Sequence, residues 1–347
     1  MIDLPPLPEL PAVSYVMPVL NEEDYLEAAV RTILDQDYAG EKEIVLALGP
    51  SRDRSDEIAA RLAGEDPRVR LVENPERDIP AGLNRAIAAS RHPVIVRVDA
   101  HSELTPDYTR LGIRSLRDRG AVNVGGIMRA AGSTPVQRAI ARAYNSPFGL
   151  GGGAYHGDGT PGPAESAYLG IFRREAVEAA GGYDPTILRG EDWELNLRIR
   201  RGGGLIWFDP ELRVTYRPRA SIGDLARQFF ATGTWRAVLV RRYRGANPWR
   251  FFMPGGLVAA LAASLVLAML QFLGVAPWAS WWSLLHLSPA AYALAIAFAV
   301  TTLPDQRGLR DRILSAIALV TMHLSWGTGF LKGIVRGGGR TVDRSRA

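Results

Sequence analysis

The chain has no cysteine, which excludes disulfides, thiolate nucleophiles and cysteine metal sites together. Lysine is nearly absent: Lys42 and Lys332 are the only two, and the other 39 of the 41 basic residues are arginine. From Phe251 to Pro304 there is no Asp, Glu, Lys or Arg in 54 residues. As helix that stretch is about 81 Å long at 1.5 Å per residue, enough for two membrane crossings and a turn. The opening stretch, Met1 to Pro11, has neither a basic start nor an apolar centre. It does not read as a signal peptide, and the domain that follows is expected to stay in the cytoplasm.

What is present alternates. Val13 to Met17 is a short apolar strand, and Asn21-Glu22-Glu23-Asp24 opens a helix with Leu26, Val30, Ile33 and Leu34 on one face. Ile44 to Leu48, Val69 to Val72 and Pro93 to Val98 read as further strands, separated by helices from Asp53 to Leu62 and from about Pro80 to Ser90. Ala121 to Ile127 reads as a fifth strand, after which the alternation stops. Strand-helix alternation at this spacing predicts an α/β fold with a doubly wound, mostly parallel sheet over residues 12–220.

The most informative stretch is Arg97 to Glu103, Arg-Val-Asp-Ala-His-Ser-Glu, at the end of the apolar run Pro93 to Val98. In an extended chain Asp99 and His101 point the same way, two metal-capable side chains at a strand's carboxyl end. Ligands of open α/β sheets bind outside those ends. A polar strand exit is the plainer reading of the tripeptide alone, and its company decides between the two. Pro18-Val19-Leu20-Asn21-Glu22, Asn74-Pro75, Gly82-Leu83-Asn84, Asp99-Ala100-His101, Gly170-Ile171-Phe172-Arg173, Gly182-Tyr183-Asp184 and Glu191-Asp192-Trp193 follow in that order.

In this arrangement the sequence resembles the family 2 glycosyltransferases, and among them the succinoglycan-type enzymes of bacterial exopolysaccharide synthesis. The resemblance covers about residues 12–240 and implies an A-type nucleotide-sugar fold followed by C-terminal transmembrane helices. It places Pro18, Asn21, Glu22, Asp53, Asn74, Asn84, Arg97 and Asp99 on the nucleotide-sugar side, with Glu22 beside the base. Asp99 and His101 would hold a divalent ion against the donor diphosphate. Histidine is a poor ligand for hard Mg²⁺ and a better one for Mn²⁺, so Mn²⁺ is favoured. Asp192 would be the catalytic base, with Glu191 beside the acceptor; acids in a helix's first turn also suit its dipole. Gly170, Phe172, Trp193, Gln228, Trp235 and Arg236 would touch the acceptor or close over the site. One departure bears on the nucleotide: the family's Asp after the second strand is Leu48 here, whose side chain accepts no hydrogen bond. Asp53 matches a later Asp of that pattern and equally suits a helix N-cap.

Gly149 to Ser166 is glycine-rich, contains His156, and reads as a surface loop or a lid over the donor. Residues 213–250 carry nine Arg against the single acid Asp224. Within them Ser221 to Arg244 reads as an interfacial helix on anionic lipid, part of a basic region at 221–250. A nucleic-acid role is set aside, because these arginines lead directly into apolar chain. Residues 251–335 form a membrane domain with spans at about 253–273 and 283–303, and a third span or re-entrant segment at 313–331. Three crossings would put the basic tail, residues 336–347, outside, against the positive-inside tendency.

The expected protein is a multi-pass enzyme with its catalytic domain at the cytoplasmic membrane face. It would invert the anomeric centre while moving a sugar, UDP-hexose by preference, to a hydroxyl of a lipid-linked or growing saccharide. A polyprenyl-phosphate monosaccharide synthase is one alternative, and a non-catalytic, membrane-anchored nucleotide-sugar-binding protein is another.

Overall fold

β1 (Val13–Val19) is buried along almost its whole length, which only a strand covered on both faces can be. The computed structural model describes residues 4–150, 159–339 and 341. Beyond β1 the chain runs α1 (Leu26–Leu34), β2 (Lys42–Leu48), α2 (Ser55–Glu65), β3 (Val69–Glu73), α3 (Ile79–Ala89) and β4 (Val94–Arg97). β5 (Ser102–Leu104), α4 (Tyr108–Arg119) and β6 (Asn123–Ala130) follow. α1 buries Leu26, Ala29, Val30 and Ile33, the three- and four-residue spacing of one helix face. Each large aliphatic side chain so buried contributes about 1.5–3 kcal/mol.

Contacts within the chain divide it into two units. After β6 come α5 (Pro135–Tyr144) and α6 (Pro147–Leu150), which group with the second unit, residues 132–150 and 218–341, rather than with the contiguous domain expected over 12–220. The first unit resumes with β7 (Gly162–Pro163), β8 (Ile171–Arg173), α7 (Arg174–Ala179), α8 (Glu191–Arg201) and β9 (Ile206–Tyr216). Of the expected lid at Gly149 to Ser166, residues 151–158, His156 among them, lie outside the described residues.

The nine described strands form one sheet in the order β3-β2-β1-β4-β8-β6-β9-β5, with β7 added on β9. β1 pairs in parallel with β2 and with β4, and β2 with β3. The chain therefore winds outward from β1 to β3 and returns to β4 on the other side, leaving a crevice at the carboxyl ends of β1 and β4. The mostly parallel expectation holds for this half alone. β8 runs antiparallel to β4 and β6, and β5 and β7 antiparallel to β9; β9 with β6 is the parallel pair beyond β4. The helical crossovers that enforce parallel neighbours stop at β4, which is where the sequence alternation stops as well.

The second unit is helical: α5, α6, α9 (Ile222–Arg242), α10 (Met253–Phe272), α11 (Leu287–Thr302) and α12 (Leu309–Arg336). Three of its helical segments, Met253–Phe272, Trp281–Thr302 and Leu309–Arg336, are long and apolar enough to cross a membrane. They are not alike: the first two have 11% of their apolar windows buried by protein, the third 39%. The turn leading into α11 is held to α10 by polar side chains, Ser264 Oγ with His286 Nδ1 at 3.0 Å and His286 Nε2 with Gln271 Oε1 at 2.8 Å. α9, expected to lay its apolar face on lipid, instead buries Leu225, Phe229, Ala237 and Leu239 within the unit. Glycines explain how α12 reaches it. Gly233 lies against the Trp326 carbonyl, Gly329 against that of Phe230 and Gly333 against that of Thr234, positions where a Cβ would collide.

Candidate active site

The carboxyl ends of β1 and β2 are stitched together by short polar side chains. Asn21 holds a left-handed backbone, φ 54°, tolerable for asparagine. Its side-chain oxygen accepts from Arg52 N at 2.6 Å, and Ser55 Oγ accepts from Glu22 N at 2.7 Å. Asp53, a candidate nucleotide contact, accepts from Ser55 N and Glu23 N at 3.0 and 3.1 Å. It ties the two loops together just before α2, whose N-cap position is Arg54. Pro18 is half-buried in β1, beside the Gly82 backbone of α3.

At the end of β4 the backbone differs from the extended segment expected. Ser102 N bonds to Asp99 O at 2.9 Å, so Asp99-Ala100-His101 is a turn between β4 and β5. His101 Nδ1 lies 2.9 Å from Glu22 Oε1, and its ring stands edge-on to Tyr216. Glu22, expected beside the base, thus faces the Asp-Ala-His turn. With Nδ1–H donated to this carboxylate, the lone pair belongs to Nε2, the tautomer in which an imidazole binds a divalent ion.

Arg97 sits at the centre. Its side chain is 4% exposed, and its guanidinium reaches Asp99 Oδ1 at 3.1 Å, Glu191 Oε1 at 3.0 Å and, closer still, Asp192 Oδ1. The Tyr183 hydroxyl lies 3.4 Å from the same Asp192 oxygen, and the guanidinium is 5.9 Å from the Tyr183 ring centre. Burial pushes the Asp192 carboxyl up to about 7; Arg97 pulls against it, while Glu191 and Asp99 add to the rise. Burial also opposes the charge on Arg97, but the three carboxylates outweigh it and raise its pKa well above the ordinary value. One buried cation facing three acids leaves a net charge of minus two if all ionise.

The site residues expected from the sequence divide into groups. Glu22 pairs with His101, and Arg97 gathers Asp99, Glu191 and Asp192; the Asp99-Ala100-His101 turn joins the two sets along the chain. Asn84 acts at one remove: its amide clamps the Tyr183 backbone, Nδ2 to Tyr183 O at 2.7 Å and Oδ1 from Tyr183 N at 2.8 Å. Asn74 is buried and orders its own loop by bonding to the Asp78 carbonyl at 3.2 Å. Gly170 gives its carbonyl to Arg97 N and leaves no room for a Cβ beside Asn123. Phe172, expected on the acceptor side, is 2% exposed and belongs to the core under the sheet, since β8 pairs it with Ile95. Trp193 is buried too. Gln228, Trp235 and Arg236 lie in the second unit and are engaged there, by the Tyr144 hydroxyl, the Thr341 carbonyl and the Phe251 ring. Sequence reasoning gave Tyr183 no role, although Gly-Gly-Tyr-Asp marked it. Nothing marked Asn196, which is fully buried and joins Asn123 and Ser166 to the Asp192 carbonyl.

The family model "Glycosyl transferase family 2" matches residues 14–181. Over 318 residues, 91% of this chain and 92% of the relative, the sequence is 33% identical to the succinoglycan biosynthesis protein ExoA of Rhizobium meliloti strain 1021. The chain belongs to glycosyltransferase family 2. This family 2 chain is also 21% identical, over 94% of its length and 98% of the relative's, to a Methanococcus voltae dolichyl N-acetyl-alpha-D-glucosaminyl phosphate 3-beta-D-2,3-diacetamido-2,3-dideoxy-beta-D-glucuronosyltransferase. Among solved structures it resembles a mannosyltransferase of Pyrobaculum calidifontis in complex with GDP-Man and Mn²⁺, with a TM-score of 0.62 at 20% identity, covering 95% and 89% of the two chains. That likeness is one of fold. Glycosyltransferase chemistry and a link to exopolysaccharide synthesis follow from the family and from the ExoA relative.

Proposed function

We propose that this family 2 glycosyltransferase is a membrane-bound, inverting enzyme that moves a sugar from a nucleotide donor to a hydroxyl of a lipid-linked or growing surface saccharide. The observation that carries the reading is the meeting of the Asp-Ala-His turn and the start of α8 on one guanidinium. A donor-side acid, Asp99, and an acceptor-side acid, Asp192, are thereby held in one site. In a single displacement the acceptor oxygen bonds to the anomeric carbon as the bond to the diphosphate breaks, and the hydroxyl proton passes to Asp192. Arg97 and Tyr183 engage Oδ1, so the proton is assigned to Oδ2. A carboxyl raised toward 7 suits that task, being basic enough to take a proton near neutral pH while still partly ionised there.

A divalent ion fits the residues present. Asp99 and His101 would hold it, with Glu22 fixing the imidazole, and the acid surplus around Arg97 favours added positive charge. Among the described residues no group of three or more His, Cys, Asp or Glu side chains is placed to hold a metal by itself. The remaining ligands would be oxygens of the donor diphosphate, so ion and nucleotide should bind together. When bound, the ion offsets the charge that develops on the leaving diphosphate. Mn²⁺ remains the favoured ion on account of His101.

The ExoA likeness supports a polysaccharide acceptor, and the uncharged α10 and α11 support an enzyme working at the membrane. The test is a calorimetric titration of the detergent-purified protein with UDP, with and without Mn²⁺, beside Asp99→Ala. Mn²⁺-dependent binding that the substitution abolishes supports the reading. Failure of UDP while the protein is folded would turn attention to GDP- or dTDP-linked donors, since Leu48 stands where an acid is usual, and failure of all three would leave a protein without a donor site.

A further inference from the structure

We infer that α12 does not cross the membrane but lies along its surface, with one apolar strip on lipid and the opposite face on α5 and α9. The inference rests on the reading that α10 and α11 form a membrane-crossing hairpin. Two antiparallel helices joined by the uncharged loop 273–286 place the start of α10 and the end of α11 on one side of the bilayer. Both basic flanks lie there, Arg241, Arg242, Arg244 and Arg250 before α10 and Arg307, Arg310 and Arg312 after α11, as the positive-inside tendency requires.

α12 is tied at both ends to that same side. Near its start, Arg142 of α5 bonds to Ser315 Oγ at 3.4 Å, pairs with Asp311 at 3.3 Å and reaches the carbonyl of Asp305, just beyond the end of α11. Toward its other end, Gly327 lies against the carbonyl of Pro254, and Phe330 packs on Phe252 and Gly255, where α10 begins. The Arg241 guanidinium donates to the Ile334 carbonyl at 3.1 Å. Between these points His323 links the carbonyl of Phe148 in α6 to the Tyr292 hydroxyl, which reaches it from within α11 rather than from its end.

The helices that cover α12 fix its depth. The connectors 131–134 and 217–221, which lead from β6 into α5 and from β9 into α9, are too short to cross a bilayer. If α12 spanned, α5 and α9 beside it would carry Arg138, Arg142, Arg227 and Arg236 into hydrocarbon, where charged side chains are costly. On the opposite face Leu309, Ile313, Ile317 and Val335 are exposed along a single stripe. Twenty-eight residues make about 42 Å of helix, longer than the roughly 30 Å hydrocarbon core. The stripe fits a lipid surface, and the basic tail then stays on the catalytic side.

Because the chain lacks cysteine, one introduced thiol is the only thiol. Ala60→Cys in α2, Ala279→Cys in the α10–α11 loop and Ser345→Cys in the tail are each treated with a membrane-impermeant maleimide in right-side-out and inverted vesicles. The expected result is that Ser345→Cys labels together with Ala60→Cys, from the face opposite to Ala279→Cys. Labelling of Ser345→Cys with Ala279→Cys means that α12 crosses and overturns the inference. Labelling of Ala279→Cys with Ala60→Cys removes the hairpin and the inference with it, without touching the donor-binding test. Nitroxides at Leu309→Cys, Ile317→Cys and Val335→Cys give a second measure. Equal depths within a few ångströms are expected, whereas a crossing helix would separate the outer two by more than 30 Å at about 1.5 Å per residue; such a separation overturns the inference independently.

Discussion

Two carboxylates, a buried one at the amino end of the sheet and a half-buried one on the carboxyl side, are shifted in opposite directions. Glu43, at the amino end of β2, is 2% exposed and accepts from Ser14 Oγ at 2.7 Å, from Arg91 N at 2.6 Å and from the guanidinium groups of Arg70 and Arg91 at 2.9 and 3.1 Å. Burial alone would raise it, but these donors hold it down at about 2. Asp192, on the carboxyl side, shares one guanidinium with two other acids and is pushed up to about 7. A carboxylate given more donors than it needs is a fastening. One given fewer keeps an appetite for protons or cations, and that is the condition of a base or a metal site. The comparison is open to experiment from both ends.

The largest effect is expected from Asp192→Asn, which cannot take a proton. Turnover should fall by about 10²–10⁴, the usual worth of a positioned base, with donor KM little changed. Substantial residual turnover would move the protein toward transfer onto an acceptor that is already anionic, such as a polyprenyl phosphate. The sign of the pH effect follows from the raised value. The base must be deprotonated, so wild-type kcat should climb as pH rises through about 7 and the remnant activity of the variant should not. Stability runs the other way. Folding shifts this carboxyl toward its protonated form, so its cost to the native state grows between the ordinary aspartate range and about 7, and Asp192→Asn should melt no lower than wild type at pH 8.

Next in size is His101→Ala, read by the Mn²⁺ dependence of nucleotide binding. Losing one of the two proposed protein ligands should weaken Mn²⁺-supported UDP binding by roughly 10-fold or more, in line with the loss of a ligand or of its supporting partner. Glu22→Gln should weaken it less, because the amide still meets the imidazole. Equal affinity with and without Mn²⁺ in the wild type would remove the metal from the site.

Glu43→Gln is the control at the other end. It should cost roughly 1–3 kcal/mol of stability, because the amide keeps one acceptor oxygen and turns an NH2 group toward the remaining donors, and leave kcat per folded molecule unchanged. Because the native value is depressed, the stabilisation Glu43 provides is full above about 4.5 and is lost as pH falls toward 2. Acid melts of wild type and variant should therefore converge at low pH. A loss of kcat in this variant would undo the division of labour between the two ends.

How much of this was legible in the sequence follows from how local each signal is. β1 to β4 and their helices were readable because apolar spacing is a property of neighbouring residues. Asp99, His101, Glu191 and Asp192 were readable because each sits at the edge of such an element, where a polar cluster stands out. That Arg97 gathers the acids was not, since Asp99 and Glu191 are distant in sequence and only the sheet brings them together. The same holds for the antiparallel insertion of β8, which takes Phe172 out of the acceptor side, and for the covered face of α9. Amphipathicity shows that a helix has an apolar face without saying whether lipid or protein meets it.

The smallest effect and the finest test belong to Tyr183→Phe. The phenylalanine keeps the ring that Arg97 lies near and the backbone that Asn84 clamps, and it removes only the hydroxyl facing Asp192. At 3.4 Å that hydroxyl makes a long contact, so about 0.5–1 kcal/mol is at stake, a change of roughly two- to fivefold in kcat. The direction in pH is more telling than the size. A donor to the carboxylate favours its ionised form, so its loss should move the rising limb of the kcat profile to higher pH. Asn84→Ala would misplace the whole tyrosine and lower kcat without that tidy displacement. If Tyr183→Phe instead lowers kcat equally at every pH, the tyrosine packs the site, and the basicity of Asp192 is set by burial, Arg97 and the two neighbouring acids.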